Sequence, residues 1–266
     1  MAHAGEAAAI EQAVSRRLAA FARAQQIRLV LVWLALAVAL GGLFARFRFD
    51  YGFMVGWAAF LARGVPITVG VSVVSIALAL VLGLVAALGR LSGNPVAHGV
   101  ATFYTSFIRG TPLLVQVYLI YLGLPQLGIV LDAIPSGVAA LSINYGAYIA
   151  EIIRAGILSV GRGQVEAALS LGMTRGQVMR RIVLPQALRV VVPPVGNEFV
   201  AMLKDSALVS VMGVWELTFR ATKVGRQYFR SLEMLVFAAA IYWGLTILFS
   251  ALQSRVEGRL ARAYER

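Results

Sequence analysis

Apolar residues in this chain come in long runs parted by short polar stretches, without the strict alternation of a half-buried strand. A helix rising 1.5 Å per residue needs about 20 such residues to cross a hydrocarbon layer of about 30 Å. On that measure spans are expected at about 27–44, 65–88, 103–121, 134–158, 187–214 and 232–252. In the second, the hydroxyls of Thr68, Ser72 and Ser75 can return to their own backbone, and Gly70 and Gly83 permit close helix approach. The third contains Arg109, Gly110, Thr111 and Pro112, the fourth ends in Glu151 and Arg154, and the fifth is broken by Pro193 and Pro194. Ahead of the first span, Ile10, Val14, Leu18 and Phe21 recur at four, four and three among Glu11, Arg16, Arg17 and Arg23. That spacing predicts an amphipathic helix lying on a membrane surface. A signal peptide is the competing reading, against which stand the long polar region and the lack of a small-residue cleavage site.

Composition strengthens the membrane reading. The chain is 60% hydrophobic with a mean hydropathy of +0.81, whereas soluble domains are nearer ~45–50% apolar. A net charge of +12 would suit nucleic acid, yet the basic residues fall between apolar runs instead of on one face with interleaved aromatics. They read as topology signals. With six spans both termini share a side; that side carries fifteen Lys and Arg, the other seven, and Arg109 and Lys204 lie within spans. The expected arrangement is N-in and C-in. The last outer loop, with Arg220, Lys223, Arg226 and Arg230, pulls the other way.

Several chemistries lack material. There is no cysteine, and His3 and His98 lie in different segments, so neither a metal site nor a Ser/His/Asp triad is expected. The two lysines, Lys204 before Asp205 and Lys223 before Val224, fit no GxxxxGK[ST] phosphate loop. Energy for any pumping must come from a partner. A membrane enzyme would need clustered acid, base and nucleophile at an interface, and no such cluster is evident.

The most informative polar stretch is EAALSLGMTRGQVMRRIVLP, residues 166–185. Glu166, Ala167 and Ala168 are good helix formers with an acid at an expected helix start, and Gly172 can take the left-handed conformation that ends a helix. Thr174 can then cap a second helix through Gln177, Val178 and Arg181 toward Pro185. The spacing from EAA through Gly172 to Ile182, Leu184 and Pro185 matches, without a gap, the cytoplasmic EAA loop of permease subunits of bacterial ABC importers. Further segments narrow the likeness: RGTPLLVQ from Arg109, GAYIAEIIRAGI from Gly146, GQVEAA from Gly163, LPQAL from Leu184 and NEFVAMLKDSAL from Asn197 all resemble polar amino acid permeases. The likeness covers roughly residues 50–256.

That resemblance implies an all-α integral membrane protein with a five-helix type I importer core, 49–256, containing the EAA loop at 162–185. Residues 1–48 would add a sixth span, and 257–266 a cytoplasmic tail. It implies a bacterial inner-membrane subunit that pairs with a second permease, identical or paralogous, with two ATPase subunits that bind ATP and Mg, and with an external substrate-binding protein. In this picture ATP draws the ATPase subunits together, and the bundle rocks so that a mid-membrane site opens to each side in turn. Glu166 would stabilise the start of the coupling helix and Gly172 set its angle, with Ala167, Ala168, Ile182, Leu184 and Pro185 completing the docking motif. A permease for another small solute, or an ion-coupled carrier using Asp205, is the alternative.

For the cargo site the resemblance points to Asn197, Glu198, Lys204, Asp205 and Ser206. The residues themselves say something similar: charges at the membrane centre cost roughly 2.5–3.5 kcal/mol on insertion scales, so they face a cavity or one another. Glu198 and Asp205 lie seven apart on one helical face, Asn197 and Lys204 on the next. A carboxylate-lined pocket for zwitterionic or cationic amino acids is expected; an ion pair of Lys204 with Asp205 or Glu198 is the structural alternative. Arg109 either meets a substrate carboxylate or anchors a helix end, and Glu151 with Arg154 reads as a helix pair. Arg220, Lys223, Arg226 and Arg230, at three, three and four, give one basic helical face for an acidic edge of the binding protein or for lipid headgroups.

Overall fold

The computed structural model describes residues 2–262, and every regular element among them is helical. The chain packs as two compact units, Met1–Tyr51 and Gly52–Arg266.

In the first unit the expected surface helix and first span are one continuous helix, α1 (Ala2–Ala45). Between residues 16 and 40 there is no proline, glycine or capping residue, so nothing separates the two. The face of Ile10, Val14 and Leu18 lies on side chains outside the described ones. Residues Ala24–Gly42 are apolar enough to cross a membrane, and all of them are exposed. Phe44, Phe47 and Phe49 close the unit as a cluster of rings with centroids 5.4–6.3 Å apart.

The second unit opens with two short helices, α2 (Tyr51–Gly56) and α3 (Ala58–Ala62), that lead into the long α4 (Val65–Leu91). The expected third span is not one helix. It divides into α5 (Pro95–Arg109) and α6 (Leu113–Gly123), the latter prolonged by a 3-10 turn to Leu127, and the two directions differ by 108°. Pro112 has no N–H to continue the ladder and drives Thr111 away from helical angles, which turns the chain here. Asn94 caps α5 by accepting from the amides of Val96 and Ala97.

Next comes α7 (Ala133–Leu158), the axis of the bundle, with twelve buried residues. Its small residues let α4 approach closely: a Cβ on Gly83 would sit 2.6 Å from Ile149, and one on Gly146 would sit 2.9 Å from Leu82. Ala86, Ala87 and Ala150 fill the same seam. Of the three hydroxyls on α4, only Ser72 returns to its own helix, at 2.8 Å from the Thr68 carbonyl. Thr68 accepts from the Leu217 amide, and the Ser75 hydroxyl donates to the Val138 carbonyl of α7 at 3.5 Å, so these two hydroxyls join helices.

The loop helices α8 (Arg162–Ser170) and α9 (Arg175–Val178) follow, then a π-helical turn, Met179–Val183, that runs straight into α10 (Leu184–Asp205). The expected break at Pro193 and Pro194 is absent: both lie inside α10, which instead ends at Asp205 in a 3-10 segment, Ser206–Met212. Leaving the π turn, the backbone is already helical, and Gln253 of the last helix donates to the Pro193 carbonyl at 3.2 Å. A shorter helix α11 (Leu217–Gln227) and the long α12 (Ser231–Arg262) complete the described chain; the tail beyond Arg262 lies outside the described residues.

Among the described residues, three helical stretches can cross a membrane by length and composition, Ala24–Gly42, Ala58–Leu91 and Ser231–Gly258, or four if the bent pair counts as one. At 26 and 22 residues α7 and α10 also have the length, but their polar positions lower their hydropathy. Besides the Ala86, Ala87 and Ala150 seam, three interior clusters hold the second unit. The largest centres on α7 and includes Leu141, Ile149, Met202 and Val209; another joins Leu61, Leu217 and Met234; the last, of Val160, Ala168, Val178 and Val183, lies beneath the loop helices.

Where α7 crosses α10, a Cβ on Gly156 would stand 2.3 Å from a methyl of Val191 and 3.2 Å from the Ala187 carbonyl. Val191 is β-branched and cannot swing aside, so Gly156→Ala is predicted to destabilise the fold by about 1–3 kcal/mol. Thermal unfolding of the solubilised protein should show a drop of several degrees, and an unchanged midpoint would mean that this crossing is looser than described.

Candidate functional site

The stretch expected to dock a partner is built as its residues suggest. Gly172 has φ +80°, its amide bonds the Leu169 carbonyl at 2.9 Å, and the Met173 amide bonds the Ala168 carbonyl at 3.2 Å. This is a Schellman ending to α8. Thr174 then opens α9 with a reciprocal capping box: its hydroxyl accepts from the Gln177 amide at 3.3 Å, and the Gln177 side chain accepts from the Thr174 amide at 2.8 Å. Ala168 is buried and Ile182 half-buried, while Glu166, Ala167, Gly172, Leu184 and Pro185 are exposed. Leu171 at the tip is 84% exposed, an apolar side chain offered outward with no cover.

Two expectations fail here. Helix α8 begins at Arg162, four residues before Glu166, so Glu166 is not at a helix start and its charge does not act on the first turn. Val165 and Ala168, one turn apart on the buried side, anchor the earlier start. Nor is the second loop helix separate, since α9 and the π turn are the first turns of α10. Glu166 instead shares a groove of about 450 Å³ with Arg162, Arg175, Leu169 and Met179.

The five expected cargo residues do not converge. Glu198 and Asp205 share the face of α10 that turns to α7, where the Tyr145 hydroxyl donates to Asp205 at 2.8 Å. Asn197 and Lys204 are exposed and turn toward α12. There Gln253 donates to the Asn197 side chain at 2.9 Å and to Glu257 at 2.8 Å. Lys204 lines a hollow with Thr218, Tyr242, Trp243 and Thr246. No ion pair joins Lys204 to Asp205 or Glu198 among the described residues. Ser206 is buried, its hydroxyl bonded back to the Leu203 carbonyl. The helical phase separates these side chains: two adjacent positions point about 100° apart, so neighbours cannot share a pocket wall.

One group that sequence reasoning passed over, Gln116, lies at the bend between α5 and α6, beside Arg109. The buried side chain of Gln116 donates to the carbonyls of Ile108 and Thr111 at 2.7 and 3.1 Å, and accepts from Asn144 at 3.0 Å. It thus pairs carbonyls near the broken end of α5. An amide inside an otherwise apolar run was the signal. Arg109, the last residue of α5, lies 3.4 Å from Glu151 and over the Tyr148 ring at 5.4 Å. Glu151 also pairs with Arg90 and, at 2.9 Å, with Arg154, so it is a node of three helices and not a pair within one.

The outer basic residues do not form one helical face. Helix α11 ends at Gln227, and Arg230 lies beyond it, 3.6 Å from Glu233 and over Phe53. Lys223 stacks on Trp215 at 4.1 Å, Arg220 on Phe60 at 5.0 Å, and Arg226 is exposed. Cations and rings interleave, which weakens a purely electrostatic face. The helix is started by buried Glu216, which accepts from the amides of Thr218 and Phe219 and from Tyr242.

Comparison with known proteins places these features. The family model described as the binding-protein-dependent transport system inner membrane component matches residues 79–262. Relatives include a probable amino-acid ABC transporter permease protein PatM of Vibrio harveyi, 38% identical over 82% of this chain and 99% of its own. The L-cystine transport system permease protein TcyB of Bacillus subtilis is 42% identical over 76% of this chain and 87% of its own. A crystal structure of an amino acid ABC transporter with histidines superposes with a TM-score of 0.76 at 43% identity, covering 80% of this chain and all of that one. The chain therefore belongs to the family of inner-membrane permease components of binding-protein-dependent ABC transport systems.

Proposed function

We propose that this chain is the permease subunit of an ATP-driven importer of polar amino acids in the bacterial inner membrane, with residues 162–185 facing the cytoplasm. It works with a second permease subunit, two ATPase subunits that bind ATP and Mg, and an external substrate-binding protein, and catalyses no reaction of its own. The observation that carries this reading is continuity. The capped turn at Gly172–Thr174 passes through a π-helical turn directly into α10, and α10 presents Glu198 and Asp205 to the interior. A partner that moves the exposed loop therefore moves the helix bearing the carboxylates, since a helix transmits displacement along its axis. The relatives named for amino acids and for L-cystine supply the cargo class.

Glu198 and Asp205 are about 10.5 Å apart along the axis, two turns of one face, and suit an ammonium or cationic group moving between them. Asn197 and Lys204 act on the α12 side, and Ser206 closes the end of α10. Alternating access then follows from rocking of α10 against α7. Arg220, Lys223, Arg226 and Arg230, set among rings, form the outer rim to which the binding protein docks.

Two outcomes test this. Replacing Gly172 with Val forces a β-branched residue into a left-handed conformation, at roughly 1–2 kcal/mol, and tilts the loop. Uptake per ATP hydrolysed should fall by tenfold or more while ATPase activity persists; full coupling in this variant would sink the loop assignment. Glu198→Gln together with Asp205→Asn removes charge-assisted bonds of about 1.5–3 kcal/mol each. Uptake of labelled amino acids by cells carrying the double variant should drop at least about tenfold, and normal uptake would show that the carboxylates do not meet the cargo.

A further inference from the structure

Glu151 is shared by guanidinium groups from three helices. Arg90 of α4 pairs with one carboxylate oxygen, Arg154 of α7 holds the other through two nitrogens at 2.9 and 3.0 Å, and Arg109 of α5 stands at 3.4 Å from the first. Three positive charges against one leave an excess of two. Beside them lies a cavity of about 370 Å³, also lined by Thr102, Thr105 and Ser106. Within that lining the Arg90 Nε and the Thr102 hydroxyl are buried without a hydrogen-bond partner. A buried donor left unmade costs about 1–3 kcal/mol, and unbalanced charge in a low dielectric costs more. The chamber is thus short of one thing, an acceptor with negative charge.

A path connects this chamber to the carboxylate face of α10. From Asp205 the Tyr145 hydroxyl is 2.8 Å away, the Tyr145 and Tyr148 rings lie 6.4 Å apart, and the Arg109 guanidinium sits over Tyr148 at 5.4 Å. The Arg109 side chain is 43% exposed, and it is the most distant of the three cations around Glu151. Its planar fork keeps donors for a second carboxylate. An amino acid carries both a negative and a positive group, so a site complementary to it needs groups of both signs.

We infer that the chamber beside Glu151 is an anion subsite that receives the α-carboxylate of the cargo through Arg109, with Arg90 and the Thr102 hydroxyl supplying further donors. It rests on the permease reading and adds to it the pole opposite Glu198 and Asp205. Arg109 then is a binding residue, while Arg90 and Arg154 hold Glu151 and so keep the Arg109 guanidinium free for the cargo.

The test is equilibrium dialysis of labelled arginine, histidine and glutamine against the solubilised permease–ATPase complex, with the binding protein left out because its own pocket would mask the permease's. Each amino acid is compared with its decarboxylated amine, such as agmatine for arginine. The wild-type complex should bind at least one amino acid ten times or more tightly than its amine. Arg109→Gln should weaken that amino acid about 10- to 100-fold and leave the amine unchanged, so that the two converge, and Arg109→Lys should recover part of the difference. Glu151 keeps two arginines in both variants, so the fold is retained. Parallel weakening of amine and amino acid, or no change in either, would overturn the subsite. So would a wild-type complex that binds none of the three, and in that event ATP-driven uptake by the complete importer would still uphold the permease function.

Discussion

A helix that crosses hydrocarbon satisfies its backbone internally, but each polar side chain it carries must find a partner on a neighbouring helix. In this protein α7 meets that demand for the rest of the bundle. Ser142 bonds α4, Asn144 bonds the amide that pairs the broken end of α5, Tyr145 bonds Asp205 of α10, and Glu151 gathers arginines from α4 and α5. Small residues on the same helix let α4 come within contact distance, so the polar links are short. Dispersion and hydrogen bonding, not a hydrophobic drive, then hold the helices together.

The same geometry makes a machine of the bundle. The loop helix α8 ends in a left-handed glycine, and α9 is capped so that it enters α10 through a π turn without a joint. Exposed Leu171 and the groove around Glu166 give a partner something to hold. At the far end of α10, Asp205 is tied to α7 by one hydrogen bond, a link light enough to break and re-form in the rocking proposed for these helices. Gly156 against Val191 sets the close crossing of the two helices.

Much of this was legible in the sequence because it depends on local chemistry. The apolar runs, the left-handed role of Gly172 and the cap at Thr174 follow from residue types at fixed spacing. Helix continuity was harder. Pro112 turned the chain through 108° where one span was expected, while Pro193 and Pro194, expected to interrupt a span, sit within a helix. Proline removes the same donor in each case, and at Pro112 the freed Ile108 carbonyl is taken up by Gln116 while the chain still bends; which proline ends a helix is visible only in the fold. The cargo residues show a similar limit. Adjacency in sequence placed Lys204 with Asp205, and the helical phase turned one to α12 and the other to α7. Glu151 read as half of a local pair because Arg90 and Arg109 are 61 and 42 positions away.

The central claim is that ATP hydrolysed by a partner drives amino acids through this chain. Proteoliposomes holding the permease with its ATPase subunits and binding protein test it most directly, with labelled amino acid on the binding-protein side and ATP on the other. Accumulation above the external concentration with ATP, absent with a non-hydrolysable analogue and unaffected by dissipating proton and sodium gradients, is the result predicted here. Uptake that continues without hydrolysis, or that collapses with an ion gradient, would contradict it and make the chain an ion-coupled carrier.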